Sequence, residues 1–393
     1  MDRKHKRRRR VAFSCITGAL FLILLSVADH IAGLLIQIPT RSLLFPAGSL
    51  VSHRSAEFNV TVAISDAGIR DDNYLAGAPD KSTFRIVTVG DSFTFGWGVP
   101  GDRSWPNVLE RSLNSSLNDK SSYQKIEVLN FGYPGASPSG YADSATLAIK
   151  HFRPNLLIVG TLQGDDLIQI HDQPGRQTPF TTQFADTLFP TTRQWLELRK
   201  ERDPITPYHQ TFALSQQYIR SQFTPEQAER YRALPPRVRS SFEAGLLNPS
   251  LVQTAMSTPD YFMQPVNANA EWKSLVSNRL TDSLETISRS CQVHGCQLLV
   301  AIVPNGPYVS ETAFEGVRDI GFTASPELLS TNAPDEMVHD VCRAAGIDCI
   351  DRTQFFRRLT PDCYFPLDGH FNEEGHRQFA DSIKAVIEER VRR

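Results

Sequence analysis

Beyond its first ten residues the chain has no surplus of positive charge. Seven of its 41 Lys and Arg residues fall in residues 1–10 against one acid, Asp2, which leaves 34 basic and 42 acidic side chains in the other 383 positions. A nucleic-acid surface needs basic clusters that neutralise phosphates, so the mildly acidic body points away from that class. Paired Cys-x-x-Cys spacing is also missing. Cys291-Gln-Val-His-Gly-Cys296 encloses His294 but lacks the second thiol pair of a structural zinc site, which favours a disulfide or inert thiols. After Cys15 there remain Cys291, Cys296, Cys342, Cys349 and Cys363, an odd set that leaves at least one unpaired within the chain. There is no internal repeat and no long low-complexity tract. The apolar fraction, 40%, is that of an ordinary globular protein, so disorder is not the default.

One long uncharged run is present. Residues 11–28, from Val11 to Ala28, follow the basic segment directly and as a helix would span roughly 27 Å, close to the hydrocarbon thickness of a bilayer. Flanking positive charge holds residues 1–10 in the cytoplasm and predicts an exported body. Ser26-Val27-Ala28 also fits a signal-peptidase site, so a cleaved signal is the alternative to an uncleaved anchor. Residues 29–83 read as a polar juxtamembrane segment with turn signals at Asp66-Ala-Gly68 and Arg70-Asp-Asp-Asn73.

From residue 84 strands and helices alternate. Arg85–Val89, Ile126–Asn130, Leu156–Val159, Gln297–Val303 and Ile347–Ile350 read as strands, several of them uninterrupted apolar runs of the kind buried on both faces of a parallel sheet. Helices are expected near 104–113, with Ser104 as cap, and at 138–150, 270–292 and 333–345. A final helix opens at Asn372 with its apolar stripe on Phe379, Ala380, Ile383, Val386 and Ile387. This alternation defines an α/β sandwich with a mainly parallel sheet. Residues 172–269 break the rhythm with Pro-containing turns and charged helical segments such as 194–202 and 225–234. They read as an insertion over the C-terminal edge of the sheet, either a lid or platform or a peripheral helical elaboration.

The chemistry concentrates where strands end. Gly90-Asp91-Ser92-Phe93-Thr94-Phe95-Gly96 follows the first strand, so Ser92 stands above the sheet edge with following amides free to bind an anion. A serine needs a base, and the base an orienting acid. Asp368-Gly369-His370, just before the last helix, supplies that pair: the carboxylate fixes the tautomer through Nδ1 and leaves Nε2 to take the serine proton.

These blocks resemble the SGNH/GDSL hydrolase superfamily, whose fold is a three-layer α/β/α sandwich with a flavodoxin-like sheet. The likeness covers residues 84–170 and 297–390. It implies catalytic Ser92, His370 and Asp368, and an oxyanion hole from the amides of Ser92 and of Gly132 in Asn130-Phe131-Gly132-Tyr133-Pro134-Gly135. The third block departs from the family. Gln163-Gly164-Asp165-Asp166 carries Asp165 where an asparagine amide usually donates to the oxyanion, and an ionised carboxylate cannot donate. Either Asp165 is held protonated or Gln163 swings an amide in. Asp91 is a further pocket candidate, Asp166 is expected to bond loop amides, His376 to pack or cap, and Trp97 and Tyr133 to line the pocket or the core. The acid and base are separated by one residue where two are common.

The resulting expectation is a membrane-anchored, extracytoplasmic serine esterase, residues 84–393 forming its hydrolase domain. It would act on acylated glycans or small esters, with no metal, no organic cofactor and no nucleic-acid partner. An O-acetyltransferase using the same triad, and a catalytically silent glycan- or partner-binding scaffold, are the rival readings.

Overall fold

Five strands, four of them rich in aliphatic and β-branched residues, form one parallel sheet in the computed structural model, which describes residues 2–35, 43–72, 74, 76–118, 121–173, 187–192, 196 and 208–392. Two strands precede them in the chain, β1 (Leu50–Arg54) and β2 (Asn59–Ala63), paired as an antiparallel hairpin. The sheet holds β3 (Thr83–Gly90), β4 (Lys125–Gly132), β5 (Leu156–Leu162), β6 (Gln297–Val303) and β7 (Asp348–Asp351) in the order β4-β3-β5-β6-β7. The order reverses between β3 and β5, and the crevice outside the carboxyl ends at such a switch point is where ligands bind in open α/β sheets.

Alternation along each strand divides the core into two layers. Ile86, Val128 and Ile158 face the helices Trp105–Asn114 and Glu373–Arg392, packing on Leu109, Phe379 and Ile383. Val87, Val89, Leu129 and Val159 face the helices Pro138–Phe152, Ala270–His294 and Ala333–Ala345, packing on Ile149, Leu280 and Val338. This is the three-layer sandwich, and each fully buried Val, Leu or Ile adds about 1.5–3 kcal/mol to its stability. Ser104 precedes the first of these helices but does not cap it. Its hydroxyl donates to Gly101, and the Trp105 N–H goes to Nδ1 of buried His376 at 3.2 Å.

The chain divides into two compact units, Met1–Arg41 with Pro174–Asp203, and Ser42–Gln173 with Pro204–Arg393. In the first, a helix runs over Asp2–Leu35, and Ala12–Gly33 within it is long and apolar enough to cross a membrane. Asp29 interrupts that run chemically but not structurally, since the helix continues and its carboxylate accepts the N–H groups of Thr191 and Thr192, each at 2.8 Å. The expected helical segment at 194–202 lies outside the described residues apart from Leu196.

The second unit begins well before residue 84. Residues 43–83, read from the sequence as juxtamembrane, contribute buried Phe45, Val62, Ile64 and Ile69 to its core. Four helices lie between Tyr208 and Ser257. Helix Pro225–Ala233 starts with a capping box between Thr224 and Gln227.

Candidate active site

Gly90, Gly132 and Gly160 end or nearly end β3, β4 and β5 in one register row. Over them lies a single helical turn, Ser92–Phe95, capped by Asp91, whose side chain accepts the Phe93 N–H at 2.9 Å. A Cβ on Gly132 would collide with the Phe95 amide nitrogen, so the glycine is what lets the turn lie down on the strand end. Arg70 fixes the turn from the other side. Its buried guanidinium donates to the carbonyls of Phe95 (3.0 Å), Gly96 and Val99 (2.5 Å) and lies over the Phe95 ring.

The structure brings Ser92, His370 and Asp368 into one hydrogen-bonded chain. His370 Nε2 lies 2.7 Å from Ser92 Oγ, and its Nδ1 lies 2.5 Å from Asp368 Oδ1. A carboxylate against Nδ1 places the proton there, so Nε2 accepts from the serine hydroxyl. The loop carrying acid and base closes at its base through Phe365 N–H to His370 C=O and Gly369 N–H to Phe365 C=O, both 2.9 Å. Gly369 adopts φ 81°, the left-handed turn through which residues two apart present both side chains to one side. At the loop's tip Glu57, from the hairpin turn, accepts the N–H groups of Leu367 and Asp368.

The site is dense in carboxyl groups. Those of Asp91, Asp165 and Asp166 lie within 4.8 Å of one another. Burial, reinforced by the charge of Asp165, pushes Asp91 up to about 7. Burial also raises Asp165, against hydrogen bonds from Tyr261 and Gln169. For His370 burial acts to lower the pKa, but the charge and hydrogen bond of Asp368, with Asp91 and Asp165 behind them, outweigh it and leave the pKa above that of an ordinary histidine.

The residues expected in the oxyanion hole have separate fates. The Ser92 N–H has no acceptor among the described residues. The Gly132 N–H does not face the cavity's chemistry, because it donates to Asn130 Oδ1 at 2.9 Å. Gly135, the second glycine of the same block, lines the cavity at φ 78°, and its N–H has no acceptor among the described residues. Gln163 is held away from the site. Its amide nitrogen donates to Asp335 at 2.7 Å and its oxygen accepts the Asn305 N–H, so no amide swings in. Asp165 does line the cavity, with Oδ1 accepting from the Tyr261 hydroxyl (2.7 Å) and Oδ2 from the Gln169 amide (2.5 Å). Asp166 is structural, accepting from Tyr141 and the Leu162 N–H. Trp97 lines the cavity, whereas Tyr133 stacks on Phe45.

The cavity measures about 320 Å³. Ser92, His370, Asp165 and Trp97 meet in it with Leu251, Tyr261 and Phe262, so residues 248–262 of the insertion form a wall of the site. The sequence reading missed Glu57, Arg70 and Tyr261, which lie outside the four blocks. Gly135 carried a signal, as the second glycine of its block.

A parallel α/β/α sandwich with this serine, histidine and aspartate at the carboxyl ends of its strands defines a hydrolase of the SGNH/GDSL class. The chain belongs to the GDSL-like Lipase/Acylhydrolase family, whose pattern matches residues 86–383. It is similar in fold to the psychrotrophic esterase EstA from Pseudoalteromonas sp. (9% identity, 78% of this chain and 97% of that one, TM-score 0.38). Similar values hold for the lipase/acylhydrolase from Enterococcus faecalis (11% identity, 78% and 96%, TM-score 0.37). The acetyl xylan esterase AlAXEase is likewise similar (10% identity, 77% and 100%, TM-score 0.35). A search of curated proteins finds no match.

Proposed function

We propose that this protein is a membrane-anchored serine esterase that works outside the cytoplasm and removes small ester-linked acyl groups, such as acetyl, from cell-envelope glycans. The observation that carries the reading is the chain from Ser92 Oγ through His370 to Asp368, with spacings of 2.7 and 2.5 Å. Ser92 Oγ attacks the ester carbonyl while His370 Nε2 takes its proton. The oxyanion forms against the Ser92 and Gly135 N–H groups. His370 returns the proton to the departing sugar hydroxyl, leaving an acyl-serine, and water activated by the same imidazole releases the acid. Support for a carbohydrate substrate comes from the cavity lining, where Trp97 accompanies the polar residues Asn248, Ser250 and Asn305. The apolar helix Ala12–Gly33 supports placement at a membrane.

The test is covalent labelling with a fluorophosphonate, followed by turnover of a soluble acetyl ester. Wild type should label at Ser92, and Ser92→Ala and His370→Ala should each lower kcat by on the order of 10⁴-fold or more. The double variant should lose little more than either single one, because the residues act as a unit. An unlabelled wild type that still binds acylated glycan would identify a silent scaffold. Transfer of the acyl group to an added sugar in place of water would identify an acetyltransferase.

A further inference from the structure

We infer that Glu57, at the tip of the β1–β2 hairpin, is a positioning residue for the catalytic acid. The inference rests on the triad reading given above. Its carboxylate is the receptor for the loop that carries Asp368. Oε1 lies 2.9 Å from the Leu367 nitrogen, and Oε2 lies 3.1 Å from that nitrogen and 2.7 Å from the nitrogen of Asp368. Both donors belong to the backbone immediately before Gly369, where the left-handed turn sends the chain on to His370. Fixing the Asp368 nitrogen fixes its Cα, and so the direction from which its carboxylate meets Nδ1.

The hairpin tip is itself held rigidly. Ser55 Oγ accepts the N–H groups of Glu57 (3.0 Å) and Phe58 (3.1 Å), closing the turn. Ala56 N–H donates to the Leu246 carbonyl at 2.9 Å. Phe58 packs on Phe365 with ring centroids 5.2 Å apart, a second grip on the same loop beside the Glu57 hydrogen bonds. Glu57 is not needed to close the loop, whose base is already paired between Phe365 and His370 and between Tyr364 and Phe371. Its contacts are confined to the tip, where the acid sits. Charge-assisted hydrogen bonds of this kind are short and orienting, and a misplacement of even about 1 Å in a catalytic array costs on the order of 100-fold in rate.

The experiment compares full-length wild type, Glu57→Met, Glu57→Gln and Glu57→Asp on one soluble acetyl ester, each assayed well below its own melting temperature. Methionine keeps the length and removes both oxygens, and should lower kcat about 10- to 100-fold with KM within about twofold. Glutamine keeps one acceptor and should restore kcat to within about fivefold of wild type. Aspartate keeps the charge but falls a methylene short of both N–H groups, so it should resemble methionine, and it carries the test if Glu57→Met does not fold. The downfield proton resonance of the His370–Asp368 hydrogen bond should weaken in the slow variants and persist in Glu57→Gln. Wild-type kcat in the methionine or aspartate variant, or a loss confined to KM or to melting temperature, overturns the inference. Failure of the triad reading would look different: wild type itself would neither label at Ser92 nor turn over the ester.

Discussion

The Tyr261 hydroxyl donates to Asp165 Oδ1 across 2.7 Å, joining the insertion to the carboxyl end of β5. With Gln169 donating to Oδ2 as well, Asp165 accepts at both oxygens and forms part of the cavity wall. Burial raises the pKa of the group, and the two donors act against that rise without cancelling it.

Replacing Asp165 by Asn should therefore change two things at once. The negative charge of Asp165 helps to raise the His370 pKa, so removing it lowers that pKa. His370 must be neutral to accept the Ser92 proton, and the acid limb of kcat/KM should accordingly move to lower pH. The Tyr261 hydroxyl can still donate to the asparagine oxygen, which leaves the new NH₂ where Oδ2 lay; with Gln169 turned so that its oxygen accepts one N–H, the other is left to meet an oxyanion. One such donor is worth on the order of 100–1000-fold, so a rise in kcat of about tenfold or more is expected. A pH–rate profile of both enzymes decides it; an unmoved acid limb together with an unchanged or lower kcat would count against Asp165 facing the reaction.

Gly369→Ala isolates backbone strain, because a Cβ there would meet no atom within 4 Å. Holding alanine at φ 81° should cost about 1–2 kcal/mol of stability. Any relaxation of the loop also pulls Asp368 from Nδ1. Denaturant titration should show the stability loss and a steady-state assay a fall in kcat; an alanine variant as stable as wild type would show that the loop refits at no cost.

Arg70→Met should leave the carbonyls of Phe95, Gly96 and Val99 without their charged donor. A loss of about 3 kcal/mol or more is expected, with a lower kcat because the Ser92 turn loses its clamp. Arg70→Lys should recover only part of this, since a point-like ammonium cannot span three carbonyls as a planar fork does. Thermal melts of the two variants beside kcat check the order Met below Lys below Arg, and equal melts would dismiss the clamp.

A reporter enzyme fused after Arg393 should show exported behaviour, and the protein should stay with the membrane fraction after a carbonate wash. The ground is the seven basic residues before an apolar helix. Reporter activity confined to the cytoplasm would reverse the orientation.

The sheet was legible because its central strands are buried on both faces and appear as unbroken apolar runs, Leu156–Val159 and Leu298–Val303, while β3 and β4 keep short aliphatic and β-branched runs around Arg85 and Glu127. Ser92, His370 and Asp368, which the structure brings together, were legible as a set because each sits in a short block at a strand end or before a helix. The hairpin was not. Its first strand alternates exposed and buried residues over Leu-Val-Ser-His-Arg, which leaves no apolar run to notice. Glu57 and Leu367 lie 310 residues apart, and nothing local in either segment announces the other. Gly132 and Gly135 stand in one block, and only the structure shows that the first amide is spent on the Asn130 side chain while the second residue lines the cavity with its N–H lacking an acceptor among the described residues.

The early position of the hairpin bears on how a soluble form of this enzyme should be cut. A fragment starting at residue 84, where the strand–helix alternation begins, would contain Ser92, Asp368 and His370 and would still lack Arg70 beneath the serine and Glu57 above the aspartate. Such a fragment would carry every residue of the sequence blocks and be a poor catalyst, whereas one starting near Leu43 would keep both supports.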